Sequence, residues 1–200
     1  NDVVVAICAS AVRHWLIDHE ELPEDPLIAQ IPVSVRTGEQ IGTYGNRILL
    51  MASALHTDES DPVQRLMATH EAMREVKERH KALPAQLLQD ANNFIPPAVF
   101  SRAARLTFRL ATSRPGRPTW NLVISNVPGP QVPLYYLGCE VDAMYPLGPI
   151  FHGSGLNITV MSLAGKLNVG IVSCPELLPD LWDMADDFKV ALDELLDATK

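Results

Sequence analysis

This sequence predicts an α/β fold in which a mixed sheet is packed with helices. Strand and helix patterns are mixed along the chain, and two strands are joined by a short glycine-containing link that predicts a hairpin. The hydrophobic fraction is 47% and the charged fraction 20%, so the 200 residues can form a substantial core, and global disorder is excluded. No domain boundary is visible, so residues 1–200 are expected to form one unit.

The chain opens with a helix and a strand. Apolar residues at helical spacing predict a helix over residues 2–19, with Asn1 as its N-cap and Asp2 at its positive end. After a polar loop, residues 27–36 are predicted to form a strand. Pro32 cannot donate a ladder hydrogen bond, so it places this strand at a sheet edge or a bulge.

A second strand and a second helix follow a glycine-rich loop. The strand is predicted over residues 46–55. Asp61 caps the helix, Pro62 occupies its first position, and Gln64 completes a capping box, so the helix should run to about Lys81. Two further helices are predicted to begin at the prolines that come next, Pro84 and Pro96-Pro97.

The second half of the chain is richer in strands. The hairpin link is Ala164-Gly165, and residues 179–199 predict an acidic amphipathic helix with Leu192 in its apolar stripe. The predicted strands are residues 120–127, 134–145, 156–163 and 166–173.

A polar pair and a rigid turn stand at the end of one strand. Ser125 and Asn126 follow an apolar run, and Pro128 and Pro130 then fix the backbone on either side of Gly129. Gly129 can adopt the positive φ that a type II turn requires. Because α/β proteins usually bind and react at strand ends, this corner is a candidate site.

Charge and cysteine content exclude some functions. The net charge of -8 argues against nucleic acid as the main partner, because phosphate neutralisation needs a basic surface. No apolar stretch is long enough to span a bilayer. Three cysteines without close pairing fit buried free thiols in a reducing compartment.

A complete catalytic set is missing from the sequence. No Cys/His group has metal-ligand spacing, so neither a metal nor a cofactor is predicted. Surface positions are expected for His14, His19, His70 and His80, whereas the loop residue His152 either lines a site or faces water. Ser154 lies between two glycines, but the spacing is not that of a nucleophile elbow.

Three arginines form one face of a predicted helix, namely Arg102, Arg105 and Arg109. This face could attract anionic lipid head groups or the phosphates of an acyl carrier such as CoA. The alternative is a solvated face that pairs with the acidic C-terminal helix.

Seven pieces of sequence, in order, carry a resemblance. They are Asn1-Asp2-Val3-Val4, Ile31-Pro32-Val33-Ser34-Val35-Arg36, Gly45-Asn46, Asp61-Pro62-Val63-Gln64-Arg65-Leu66, Ser125-Asn126-Val127-Pro128-Gly129-Pro130, Tyr145-Pro146-Leu147-Gly148-Pro149 and Gly155-Leu156-Asn157-Ile158-Thr159-Val160. Together they resemble the bacterial wax ester synthase/diacylglycerol acyltransferases. The resemblance implies one half of a two-domain fold like that of chloramphenicol acetyltransferase, with the active site between the halves.

The resemblance also implies a function. It is transfer of a fatty acyl group from acyl-CoA, as substrate, to diacylglycerol or a long-chain alcohol. The family's catalytic His-His-x-x-x-Asp-Gly motif is absent here and lies before the Asn-Asp motif, so the chain looks like the C-terminal half alone, inactive by itself. The expected partners are the N-terminal half, the substrates and a membrane or lipid-droplet surface. The expected location is cytoplasmic, at the inner face of the membrane or on droplets.

Six residues are expected to support the active site. Asn1 and Asp2 match the family's Asn-Asp motif, and the polar contacts come from the strand ends and the turn, at Ser125, Asn126, Gly129 and Asn157. The alternative is that Ser125 and Asn126 only brace the turn and Asn157 only starts a strand. For the whole chain, the alternative is a binding or interaction module that keeps the fold without the chemistry. A hydrolase with Ser125 or Ser154 as nucleophile ranks last.

Overall fold

The fold is a five-stranded mixed sheet with helices packed on one face. The computed structural model describes residues 1–34, 48–81, 102–103, 106, 120–151 and 153–200. Its helices are α1 (Asp2–Asp18), α2 (Pro62–Lys81) and α3 (Leu181–Asp197). Its strands are β1 (Ile28–Ser34), β2 (Ile48–Ala54), β3 (Leu122–Val127), β4 (Tyr135–Tyr136), β5 (Cys139–Glu140), β6 (Leu156–Leu163) and β7 (Lys166–Ser173).

The large sheet has the strand order β2-β1-β3-β6-β7. The three central strands β1, β3 and β6 run parallel, and the outer strands β2 and β7 pair antiparallel with their neighbours. Because parallel strands end at the same edge of a sheet, the carboxyl ends of β1, β3 and β6 lie together. This edge is where the polar residues of β3 emerge.

The core lies between the sheet and the helices α1 and α3. Ile124, Ile158 and Val160 from the strands pack with Val5 and Phe188 from the helices, and all five are buried. Helix α2 packs on α1 and on β2. The predicted mixed α/β fold is therefore confirmed.

The hairpin and the ends of two helices agree with the sequence. β6 and β7 pair along their full length, and both link residues Ala164 and Gly165 adopt positive φ. Asp61 caps α2 by accepting hydrogen bonds from the backbone N–H groups of Val63 and Gln64. The backbone N–H of Asp61 itself bonds to Glu59 rather than to Gln64, so the second arm of the predicted capping box comes from the preceding loop.

Pro32 marks neither an edge strand nor a bulge, contrary to the prediction, since β1 lies inside the sheet and pairs with β2 in a continuous register. β1 lies between β2 and β3, but its pairing with β3 is confined to Ala29 and Gln30. Pro32 therefore sits beyond the last residue that pairs with β3, where its missing N–H leaves no gap in that ladder.

Residues 134–145 do not form the single strand that was predicted. Leu137 and Gly138 both have positive φ, so the chain turns back and makes only the two-residue pairs of β4 and β5. In α3, Leu192 is 41% exposed and Ala191 takes its place among the buried residues. The helix predicted to begin at Pro84 and the pair Gly45-Asn46 lie outside the described residues. Of the helix predicted to begin at Pro96-Pro97, only residues 102–103 and 106 are described, and they are helical.

Candidate functional site

Ser125 and Asn126 point to opposite faces of the sheet. Successive side chains alternate along a strand, and residues paired in register share a face. Asn126 is in register with Val160, which belongs to the core under the helices. Ser125 is in register with Thr159, on the other face. The two polar residues at the end of β3 therefore belong to two separate groups of residues, one on each face of the sheet.

The first group lies on the helix side and is called here the Asn1 cluster: Asn1, Asp2, His70 and Asn126. Asn126 Nδ2 donates a hydrogen bond of 3.1 Å to Asn1 Oδ1. Asp2 Oδ2 lies 2.7 Å from His70 Nδ1, which makes an ion pair when the imidazole is protonated. The cluster thus joins the start of α1, the middle of α2 and the end of β3.

The Asn1 cluster is accessible to solvent. Asn1 is exposed, Asn126 is half-buried, and the His70 side chain is 57% exposed. Asn1 is at the N-cap position as predicted, but its side chain makes no capping hydrogen bond, and its Oδ1 instead accepts from Asn126 Nδ2. The first N–H groups of α1 therefore add a partial positive charge to this edge of the sheet.

The second group lies on the opposite face and is called here the Asn157 cluster: Ser125, Asn157 and Thr159. Thr159 Oγ1 donates to Asn157 Oδ1 at 2.8 Å, and Asn157 Nδ2 donates to the main-chain oxygen of Pro149 at 3.0 Å. Asn157 is only 3% exposed. A Cβ at Gly148 would lie 2.4 Å from Asn157 Oδ1, so the loop before β6 is held tightly against the strand.

The turn after β3 is held against β6 by its backbone. Gly129 N donates to Ser162 Oγ at 3.0 Å, and Ala164 N donates to the main-chain oxygen of Pro130 at 3.0 Å. Gly129 does not adopt positive φ, unlike Gly138, so the predicted reason for a glycine here is wrong. The reason is space, because a Cβ on Gly129 would lie 2.0 Å from the main-chain oxygen of Ser162.

The contact between Asp2 and His70 was not predicted from the sequence. His70 was expected to be an ordinary surface residue, and 68 positions separate it from Asp2. No short motif connects them, since the contact arises only when α1 and α2 pack together.

The remaining candidates contribute less. Ser154 is 1% exposed, which removes it from the reach of a substrate and argues against a hydrolase that uses it. Arg102 is exposed, whereas His152, Arg105 and Arg109 lie outside the described residues. The cysteines are free, as expected, but only Cys8 is buried, and burial raises the pKa of its thiol to about 12.

Within the described residues, no helix is both long and apolar enough to cross a membrane.

Comparison with known proteins identifies the family. Residues 44–196 match the family described as the WS/DGAT C-terminal domain, and the chain belongs to that family. It is 46% identical, over its whole length, to a putative diacylglycerol O-acyltransferase, Rv1760, of Mycobacterium tuberculosis, and covers 39% of that protein. It is 38% identical to the O-acyltransferase WSD of Acinetobacter baylyi over 92% of this chain and 38% of that protein. The chain thus spans about two fifths of these relatives.

Solved structures agree with the family. The fold matches the wax ester synthase/diacylglycerol acyltransferase of Marinobacter aquaeolei with a TM-score of 0.74 and 32% identity, over 100% of this chain and 44% of that one. An epimerization domain of tyrocidine synthetase B matches with a TM-score of 0.52 and 16% identity, over 99% of this chain and 42% of that one. The second match shows a shared fold and nothing more.

Proposed function

We propose that this chain forms the C-terminal domain of an O-acyltransferase that moves a fatty acyl group from acyl-CoA to diacylglycerol or to a long-chain alcohol. The single observation that carries the proposal is the match to relatives named as acyltransferases over nearly the whole chain. The Asn1 cluster adds support, because Asn1 of the Asn-Asp motif bonds to Asn126 at the edge where the parallel strands end, and Asp2 beside it contacts His70.

The proposed chemistry needs a base that this chain does not supply. A histidine of the His-His-x-x-x-Asp-Gly motif, in the part of the relatives that this chain does not cover, takes the proton of the acceptor hydroxyl. The hydroxyl oxygen attacks the thioester carbonyl, an oxyanion forms, and the CoA thiolate leaves as the carbonyl is restored. Positioned hydrogen-bond donors stabilise that oxyanion.

The two clusters support this site in different ways. The accessible Asn1 cluster faces the other half of the enzyme and brings the amide of Asn126 and the start of α1 to the boundary. Asn157, on the opposite face, fixes the loop before β6, and Gly129 fixes the turn after β3. Ser125 lies in register with Thr159 on the face of Asn157. Both roles are positioning roles.

Exposed apolar side chains between β3 and β6 support a partner surface. Four of these side chains are about two thirds exposed or more: Tyr135 (67%), Leu137 (88%), Tyr145 (67%) and Leu147 (73%). Patches of this kind mark interaction sites or aggregation hazards. The proposed partner is the N-terminal half of the acyltransferase. A peripheral contact with the inner face of the membrane or with lipid droplets, through the arginine face, belongs to the same proposal.

The test is an acyl-transfer assay with two proteins. The 200-residue chain alone, and the chain joined to the His-His-bearing N-terminal part of the Mycobacterium tuberculosis relative, are each given palmitoyl-CoA and diolein or hexadecanol. CoA release and the lipid product are both measured. The proposal expects no turnover by the chain alone and clear turnover by the joined protein. Turnover by the chain alone contradicts the proposed position of the base. A folded joined protein without turnover favours the non-catalytic module.

A further inference from the structure

A pocket lies well away from the strand ends. It has a volume of about 560 Å³ and is formed by α1, the start of α2 and the end of α3. Its lining includes Arg13, His14, Arg65, Glu194 and Asp197. Arg13 is twelve residues along α1 from Asn1, which corresponds to about 18 Å at the rise of an α-helix. The pocket is therefore separate from the Asn1 cluster.

Arg65 is an almost fully buried cation in the wall of this pocket. It is 1% exposed, and its Nε donates to Ser10 Oγ at 3.1 Å. Its Nη1 donates to the main-chain oxygen of Glu59. Both acceptors are neutral, and within the described residues no carboxylate oxygen forms an ion pair with this guanidinium. Arginine is seldom buried to this extent without an anionic partner, because the desolvated charge is costly.

Arg13 adds a second positive charge beside it. Its Nη1 donates to the main-chain oxygen of Thr57, which is again a neutral acceptor. Burial first, and then the neighbouring Arg13 charge, lower the pKa of Arg65 below its ordinary value, and the negative charges of Glu194, Glu59 and Asp61 oppose that shift without reversing it. The two like charges repel each other, and an anion between them would relieve the repulsion and give both guanidinium groups a charged hydrogen-bond acceptor, which Ser10, Glu59 and Thr57 do not supply through the contacts described above.

The other groups of the pocket leave room for an anion. His14 Nε2 lies 3.1 Å from Glu194 Oε2, so one rim carboxylate already has a partner. The His14 Nδ1 atom is buried and has no hydrogen-bond partner among the described residues. The volume lies within the range of pockets that hold small ligands.

We propose that this pocket binds a phosphate-class oxyanion between the guanidinium groups of Arg13 and Arg65. Guanidinium forks match the oxygens of a tetrahedral phosphate in geometry and charge, and such charge-assisted hydrogen bonds are the stronger ones. The ligand is either free phosphate or a phosphate ester with its organic part in the wider mouth. The site is independent of the acyl-transfer chemistry.

Binding is measured by titration calorimetry and thermal unfolding of the 200-residue chain. The probes are inorganic phosphate and glycerol 3-phosphate, with sodium chloride at matched ionic strength as the salt control. The proposal expects saturable heat and a rise in the unfolding temperature with at least one phosphate probe, beyond the effect of chloride. Tighter binding of the ester identifies an esterified ligand, and tighter binding of the free ion identifies phosphate itself. No response beyond chloride overturns the proposal.

One variant and a matched control locate the site. Arg13→Gln keeps a polar side chain at a half-buried position and should weaken binding about tenfold, as expected for the loss of one charge-assisted contact. Arg74→Gln on the exposed side of α2 is the matched control and should bind as the wild type does, since Arg74 pairs with Glu71 away from the pocket. Equal binding by the wild type and Arg13→Gln overturns the assignment.

A change of the rim keeps the test valid if Arg13→Gln fails to fold. Glu194→Gln removes a negative charge from the pocket and leaves both guanidinium groups intact. It should strengthen phosphate binding several-fold, because like-charge repulsion at this range is lost. Unchanged or weaker binding by a folded Glu194→Gln protein contradicts the proposal.

Discussion

The Asn1 cluster and the Asn157 cluster are supplied by the same strand end and differ in what surrounds them. Asn126 and Ser125 are adjacent in sequence, yet one bonds to the start of a helix in partial contact with water, and the other stands beside the buried pair Thr159 and Asn157. Because Asn157 and Thr159 are buried, changes in the Asn157 cluster are expected to lower the stability of the fold. Under the proposed function, the accessible Asn1 cluster contacts the other half of the acyltransferase. The difference teaches that neighbouring motif residues in a strand need not share a role.

The largest effect is expected at Asn157. Asn157→Ala removes both hydrogen bonds, releases the loop at Pro149 and leaves the buried hydroxyl of Thr159 without its acceptor, so it should lower the free energy of unfolding by about 3 kcal/mol. Urea denaturation measures it. Asn168→Ala is the matched control: Asn168 is also buried, at 6% exposed, but its one contact is long, at 3.5 Å. If the two variants lose the same free energy of unfolding, the hydrogen bonds of Asn157 stabilise the fold no more than those of another buried asparagine.

A smaller loss is expected at Gly129. Gly129→Ala forces a Cβ against the backbone of β6, so it should cost about 2 kcal/mol of stability. Gly138→Ala is the control for backbone conformation without a steric clash, because Gly138 has positive φ and no atom lies within 4 Å of the added Cβ. It should cost only about 1 kcal/mol of stability. If Gly129→Ala is as stable as the wild type, the turn is not held against β6 as described.

The smallest effect concerns pH and the position of α1. His19, at the far end of α1 from Asn1, contacts Asp180 Oδ2 at 2.7 Å, and its other nitrogen contacts the main-chain oxygen of Trp15 at 2.7 Å. The hydrogen bond to Trp15, and then the hydrogen bond to Asp180 and its negative charge, raise the pKa of His19 above its ordinary value. Partial desolvation opposes these effects.

The sign of the pH dependence follows from that direction. A raised pKa in the folded state stabilises the protein fully below the pKa of the unfolded state, about 6.5. The contribution is lost as pH rises through the pKa of folded His19. Urea midpoints from pH 5.5 to 8.5 should therefore fall more steeply for the wild type than for His19→Gln. If the urea midpoints of the wild type and His19→Gln fall in parallel, protonation of His19 does not stabilise the contact between α1 and Asp180.

Local patterns in the sequence predicted the elements whose partners are near in the chain. The periodicity of α1, the cap at Asp61 and the β6–β7 hairpin depend on residues a few positions apart, and all three are confirmed. The turn at Leu137 and Gly138 was missed because Tyr135 and Tyr136 have high strand propensity, and nothing local showed that they are exposed.

The sites were harder to predict, because their contacts join residues that are far apart in the sequence. Asn1 and Asn126 are 125 positions apart, and the family motifs named both without showing that they touch. The same motifs placed Ser125 and Asn126 together, whereas the strand alternation separates them. No sequence pattern predicted the pocket at Arg13 and Arg65, because its residues come from three helices and the loop before α2, which meet only in the folded chain.

The most direct test compares two neighbours in the joined acyltransferase. CoA release by Asn126→Ala and by Ser125→Ala is measured against the wild type, with unfolding midpoints recorded for all three. Asn126→Ala is expected to lower kcat/KM about tenfold while costing less than about 1 kcal/mol of stability, since its bond to Asn1 is exposed. Ser125→Ala should stay within about twofold of the wild type. An unaffected Asn126→Ala enzyme, or a larger loss of turnover in Ser125→Ala, would contradict the account.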